Sequence, residues 1–234
     1  MTKMSIYERE KDYIRLLTER SYKITELSQA LYISEPTVRR DVICMKKNGL
    51  IESNRGLISL KTTSPDRRIP SFLREVQKAD EKRVIAHHAI SHVKDGMVIM
   101  LDASTTAYCV IPFLADFQSI LVITSGAKAA LALASYGINT ICTGGKMISQ
   151  SYSYVGGDAI RTLSSYNADV AFFSCHGLTE DGIASDTSIE ENEIRKVMIQ
   201  QSSEAYLLCD KSKLGKKGLN VLCNVKDISG VISD

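Results

Sequence analysis

Residues 34–50 read SEPTVRRDVICMKKNGL, with two arginines side by side in the middle of a stretch that opens Ser-x-Pro and closes on Gly-Leu. Ser34 is a good N-cap, since a side-chain oxygen there suits the unpaired amides of a first helical turn. Pro36 falls in that turn, where a missing N–H costs nothing. The pattern predicts a helix running to about Asn48 and ended by Gly49. At about 100° per residue, Val38, Val42 and Met45 share one side as the core face. Arg40 and Lys47 then lie nearly opposite, flanked by Thr37 and Arg39.

Upstream, SIYEREKDYIRLLTER (5–20) carries Tyr13, Ile14 and Leu17 at helical spacing. Thr25 is placed to cap a second short helix whose Leu27, Ala30 and Leu31 share a face. A turn at Tyr32 and Ile33 leads into the third helix. Downstream, LIESNRGLISL puts Leu50, Ile51, Leu57, Ile58 and Leu60 around an Asn54-Arg55-Gly56 turn, which predicts a β-hairpin. Two helices, a tight turn and a third helix with arginines on its outer side predict a helix-turn-helix, and the hairpin supplies a wing. The planar arginine fork pairs with guanine O6 and N7 or with a phosphate. Ser34 and Thr37 offer hydroxyls to backbone or base edges, and Arg55 is expected on phosphate. Charge distribution agrees: residues 1–83 hold 18 Lys and Arg against 12 Asp and Glu, although the whole chain is only +2.

The stretch ITELSQALYISEPTVRRDVICMKKNGLI resembles the winged helix-turn-helix of the DeoR family of bacterial transcription regulators, whose signature is Ser-x-x-Thr-(Ile/Val)-Arg-Arg-Asp followed by a Gly-Leu step. The wing departs from the family's usual His-Gly-Gly turn by reading Asn-Arg-Gly. On this reading residues 1–60 bind an operator, through Ser34, Pro36, Thr37, Arg39, Arg40, Lys47 and Arg55. One short helix reads few base pairs, so at least a dimer is expected.

Residues 61–79 contain two of the four prolines and no sustained period, which predicts a linker. From residue 80 onward, a helix with Val84, Ile85, Ala89 and Val93 inward precedes apolar runs that alternate with helical ones: GMVIMLD, TTAYCVIPFLA, SILVITS, GAKAALALASYG, NTICTGG, ADVAFFSC, SIEENEIRKVMIQQ and EAYLLCD. This is the rhythm of an α/β sheet. Ligands of such sheets collect beyond the carboxyl ends of strands. Those ends read Asp102-Ala-Ser104-Thr105-Thr106, Thr124-Ser125-Gly126, Thr143-Gly144-Gly145 and Asp210-Lys-Ser-Lys213. Small hydroxyl residues before a helix suit a phosphate, and Lys213 offers the opposing charge.

Together these loops resemble the DeoR effector domain, which implies the fold of ribose-5-phosphate isomerase and a phosphorylated sugar as effector. The family's motifs are Asp-x-Gly-Thr-Thr, Thr-Asn-Ser, Thr-Gly-Gly and Asp-x-Ser-Lys; here Ser104 replaces the glycine and Ser125-Gly126 replaces Asn-Ser. The resemblance implies effector contacts at Asp102, Ser104, Thr105, Thr106, Ser125, Gly144, Gly145 and Lys213, within a sensing and oligomerisation domain spanning 80–234. It also implies a repressor of a carbohydrate-metabolism operon.

The competing reading is a sugar-phosphate isomerase carrying an accessory helix-turn-helix. Isomerisation needs a carboxylate base over the sugar carbon. The corresponding SCHGLTEDG offers Glu180 and Asp181 without the isomerases' Asp-Gly-Ala-Asp-Glu-like arrangement, so no catalytic residue is assigned. TGGK and VGGD lack the G-x-G-x-x-G spacing of a dinucleotide site. His88 and His92 lie four apart but without a third ligand, and a solvated helix face is preferred to a metal site. Six cysteines at wide spacing, with no C-x-x-C, are read as reduced buried thiols. With no cofactor assigned, no apolar stretch long enough for a membrane span and no apolar segment behind a basic start, the chain is expected in the cytoplasm.

Overall fold

The computed structural model describes residues 6–47, 50–60 and 71–234. The chain divides into two compact units, Met1–Val76 and Gln77–Asp234. The first contains α1 (Ile6–Glu19), β1 (Tyr22–Lys23), α2 (Ile24–Ala30), α3 (Glu35–Lys47), β2 (Ile51–Asn54), β3 (Leu57–Leu60) and α4 (Ser71–Val76). Its core joins Tyr13, Ile14 and Leu17 of α1 and Leu27 of α2 to Val38, Val42 and Met45 of α3. Ile51 and Ile58 of the hairpin close it. The wing is a three-stranded antiparallel sheet in the order β1-β3-β2. Its tip has φ of 50° at Arg55 and 81° at Gly56, and positive values at both central residues mark the hairpin turn whose twist matches the strands.

Three local expectations are corrected. Thr25 does not cap α2: the helix starts one residue earlier, and the Glu26 carboxylate accepts a 2.6 Å bond from the Lys23 amide. Ala30 is exposed, and Ile24 packs on the core in its stead. Ser71–Val76 is helical where a structureless linker is predicted; the rest of that linker up to Pro70, and the glycine expected to end α3, lie outside the described residues.

The second unit runs α5 (Ala79–Ala89), β4 (Val98–Leu101), α6 (Thr105–Tyr108), α7 (Ile111–Leu114), β5 (Leu121–Thr124), α8 (Ala127–Ser135), β6 (Asn139–Cys142), β7 (Lys146–Ile148), β8 (Ser153–Val155), α9 (Gly157–Ser164), β9 (Ala168–Ser174), β10 (Gly177–Leu178), β11 (Ile183–Asp186), α10 (Ile189–Gln200), β12 (Ser202–Leu208), β13 (Asn220–Asn224) and β14 (Gly230–Ile232). Six strands pair in parallel in the order β14-β12-β9-β4-β5-β6. Both faces of this sheet are buried, as parallel sheets require. Ile99, Leu101, Val122, Phe172 and Leu208 pack with Ile85 and Ala89 in one core, and Met100, Ile123, Ala171, Phe173 and Leu207 pack with Leu163 and Met198 in the other. The chain moves outward from β4 to β6 and then returns to β9 on the opposite side. Strand order therefore reverses between β4 and β9, the position where sheets of this kind hold ligands beyond the strands' carboxyl ends.

Val84, expected inward, is 44% exposed, and Ala86 is buried beside Ile85 and Ala89. The β7–β8 hairpin and the small antiparallel sheet β10-β11-β13 are absent from the sequence reading; segments such as KMI, GL, IASD and NVLCN lack the continuous apolar run that marks the central strands. The cysteines are free, but only Cys175 and Cys209 are buried as expected; Cys44, Cys109 and Cys223 are partly exposed and Cys142 is exposed. Among the described residues no helix is long and apolar enough to cross a membrane, and no cluster of His, Cys, Asp and Glu could hold a metal ion. The His92 ring packs on Tyr206, 4.0 Å between centroids, and His88 Nδ1 meets the Ser233 carbonyl at 3.1 Å.

Candidate functional sites

In the first unit, the α3 start is fixed by Ser34, whose carbonyl accepts the Val38 amide at 3.0 Å while its hydroxyl pairs with Thr37 Oγ1 at 2.9 Å. Pro36, Arg39, Arg40 and Lys47 are exposed, and Arg39 lies 3.3 Å from Glu35 one turn back. Arg55 is exposed at the wing tip. These residues share one unit with a common core, so the cations of α3 and the wing are carried on a rigid frame.

That frame depends on a residue that apolar periodicity does not reveal. Asp41 lies on the core side of α3 and is 1% exposed. Its carboxylate takes both arms of the Arg9 guanidinium, Nε at 2.9 Å and Nη2 at 3.0 Å, and the Tyr13 hydroxyl at 3.2 Å. Burial, together with the neighbouring Asp41 charge, raises the Tyr13 phenol well above its ordinary range and keeps it a donor. The recognition helix is thereby pinned to α1 through a forked ion pair.

In the second unit a continuous polar network lies at the carboxyl ends of β4 and β9. Asp102, directly after β4, accepts from the Ser104 amide through Oδ1 at 3.0 Å. Its Oδ2 accepts the Ser174 amide at 3.2 Å and Arg195 Nε at 2.8 Å. Arg195 also donates from Nη1 to Asp186 at 2.8 Å and to Asn192 at 3.2 Å. Burial works against its charge, yet Asp186 and Asp102 outweigh that and hold the guanidinium protonated beyond its usual range. On the far side of Ser174, its hydroxyl donates to the Leu208 carbonyl at 2.6 Å and receives Lys213 Nζ at 2.8 Å. Asp210 lies 3.6 Å from the same ammonium. Burial opposes the Asp210 charge, but bonding from Ser212 and the Lys213 and Lys82 ammonium groups hold the carboxyl below its usual range.

The structure thus joins Ser104, Asp102 and Lys213 through Ser174, and Thr105 and Thr106 form the buried first turn of α6 next to them. Two of these residues have internal partners. The Asp102 carboxylate is 2% exposed and accepts three bonds from within, which brace the β4 and β9 ends against α10. The Ser104 hydroxyl caps α6 by accepting the Ala107 amide at 3.1 Å.

Ser125 joins this group through its neighbour. A Cβ on Gly126 would come within 3.1 Å of the Ala103 backbone, so glycine lets the two loops touch. The β7–β8 hairpin seals their flank, with the Tyr154 amide on the Ser125 carbonyl at 2.7 Å. Gly144 and Gly145 stand apart, beyond the edge strand β6 and beside the start of α9. Gly145 has φ of 106°, and a Cβ there would meet the Val155 carbonyl at 2.8 Å, which is a packing reason for glycine. Sequence reasoning missed Arg195, Ser174 and Asp186, which come from α10, β9 and β11.

Comparison with known proteins agrees with this two-part layout. The family model described as DeoR-like helix-turn-helix domain matches residues 10–63, and that of the DeoR C terminal sensor domain matches residues 77–234. The uncharacterized HTH-type transcriptional regulator YulB of Bacillus subtilis (strain 168) is 33% identical over 234 residues, covering 99% of this chain and 90% of the relative. The lactose phosphotransferase system repressor of Staphylococcus epidermidis is 27% identical over 235 residues, covering 99% and 93%. Among solved structures, ribose 5-phosphate isomerase A from Methanocaldococcus jannaschii aligns over 59% of this chain and 55% of its own, at 22% identity and a TM-score of 0.44.

Proposed function

The chain belongs to the DeoR family of transcription regulators, and from that premise we propose that it is a repressor of a carbohydrate operon whose second unit senses a phosphorylated sugar. It is a DNA-binding regulator and not an enzyme. Operator contacts are assigned to Ser34, Pro36, Thr37, Arg39, Arg40 and Lys47 of the α3 region, with Arg55 on phosphate. We keep residues 1–60 as the DNA-binding domain and 80–234 as the sensing domain, working in the cytoplasm. The names of the lactose phosphotransferase system repressor and of the L-fucose operon activator of Escherichia coli support a carbohydrate operon and differ in the sign of control.

The observation that carries the effector assignment is Lys213, held by Ser174 one hydrogen bond away from the Asp102 brace. That ammonium offers an anion a charge-assisted bond, and we assign the Ser104–Thr106 loop to the same anion. Ser125 and the Gly144–Gly145 turn are assigned to the rest of the ligand. Control then follows by linkage: a ligand that favours one arrangement of the two units over another shifts operator affinity by that difference.

A panel of sugar phosphates, screened by thermal shift, is expected to yield at least one stabilising ligand. Lys213→Ala will weaken that ligand at least tenfold in calorimetry and leave the unphosphorylated sugar equally poor. Unchanged affinity would move the phosphate elsewhere. We also propose a homo-oligomer of at least two chains, because paired half-sites supply the selectivity that one α3 lacks. Light scattering at micromolar protein will return a multiple of the 25.8 kDa chain mass; a monomer both with and without DNA would contradict this.

A further inference from the structure

Helix α3 buries Val38, Asp41, Val42 and Met45. Taking about 100° per residue, the direction opposite this core is occupied by Pro36, Arg40, Ile43 and Lys47, an i, i+4, i+7, i+11 stripe along one generator of the helix. Three of these are the residues expected on a DNA-facing side. The fourth is not: Ile43 is a β-branched hydrocarbon that is 68% exposed, set between the Arg40 and Lys47 cations. No other position of that stripe carries a large apolar side chain.

An exposed isoleucine here gains nothing for the core of its unit, and it loses free energy to water while DNA is absent. The charges around it decide what covers it. Arg39, Arg40, Lys46 and Lys47 are all exposed and flank it, a surface that suits a polyanion and repels a second copy of the same helix. The major groove of duplex DNA presents to such a helix one apolar group, the C5-methyl of thymine. We propose that Ile43 is a specificity-determining residue of this regulator, making apolar contact with a thymine methyl in each half-site, one turn beyond the base contact made by Arg40. This rests on the DNA-binding reading of α3 and adds a base identity to it. Arginine and lysine account for attraction to any duplex, whereas Ile43 distinguishes an A·T pair from a pair without the methyl.

The test uses the full chain and an operator selected from random duplex DNA. Each thymine of that operator is replaced in turn by uracil, which deletes the methyl and leaves base pairing intact. The wild type will lose about three- to fivefold affinity at one thymine per half-site, the effect of one methyl group leaving an apolar contact. Ile43→Ala will bind the thymine and uracil operators equally, and because the side chain is exposed its melting temperature will match the wild type. Uracil replacements that are all neutral for the wild type would overturn the inference. So would a uracil effect that persists undiminished in Ile43→Ala. A random pool that never converges on a sequence would instead overturn the operator-binding reading itself, and this inference with it.

Discussion

Arg195→Met will destabilise the second unit by about 3–5 kcal/mol, the range found when one partner of a buried ion pair is removed and the other is left uncompensated. Two carboxylates are stranded here. Asp102 and Asp186 each lie 2.8 Å from the guanidinium, and the side chains of Arg195 and Asp102 are 5% and 2% exposed. Methionine fills similar volume, so the loss reports charge and hydrogen bonding more than a cavity. Arg195→Lys keeps the charge but cannot reach both acids with one planar fork, and its loss will fall between wild type and methionine. Urea unfolding followed in the second unit reads this directly. A change within about 0.5 kcal/mol, the range of ordinary surface substitutions, would mean that the network braces nothing. The same variant will lose the stabilising sugar phosphate found by thermal shift, since the Asp102 loop is positioned from Arg195.

Asp41→Ala comes next in size. It removes the acceptor for both arms of Arg9 and for the Tyr13 hydroxyl, in a place where Asp41 is 1% exposed and Tyr13 fully buried. A cost of about 3 kcal/mol to the first unit is expected. The small unit has a modest core, so much of it will be unfolded at 37 °C, and operator binding will fall with the folded fraction. Arg9→Met should produce most of the same loss, and the double variant Arg9→Met with Asp41→Ala less than the sum, because one interaction is being removed twice. Additive losses would show that the pair is not coupled and that α3 is held by its apolar face alone.

The contrast between these two residues and the rest of the molecule explains what the sequence could reveal. The α3 core face was legible because Val38, Val42 and Met45 repeat at the helical period. The wing was legible because apolar pairs bracket an Asn-Arg-Gly turn. Strand ends in the second unit were legible because apolar runs stop at clusters of small hydroxyl residues and glycines. Arg195 was not legible: its partners lie 93 and 9 positions away, and IEENEIRKVMIQ reads as an ordinary amphipathic helix. Asp41 left a trace that could have been used, since it falls on the core side of the α3 wheel between three buried apolar residues, and a carboxylate in that place demands a cation. Asp102 was located but its arginine partner was not, because a strand-end aspartate looks the same in sequence with or without a buried guanidinium beside it. Thr25 failed as a cap for a simpler reason. Glu26 closes the turn on the Lys23 amide, so the helix begins ahead of the threonine.

Helix α3 is proposed to read a DNA sequence through its outward arginines. The measurement is a fluorescence anisotropy titration, at one fixed salt concentration, of the operator selected from random duplex DNA with the wild type and with the Arg39→Ala, Arg40→Ala double variant. A defined operator and at least a tenfold loss in the double variant are expected, since one bidentate base contact is worth about 1–3 kcal/mol. Both side chains are exposed, so the variant keeps the wild-type melting temperature. Equal affinity of the two proteins for the selected operator would show that Arg39 and Arg40 do not read its sequence.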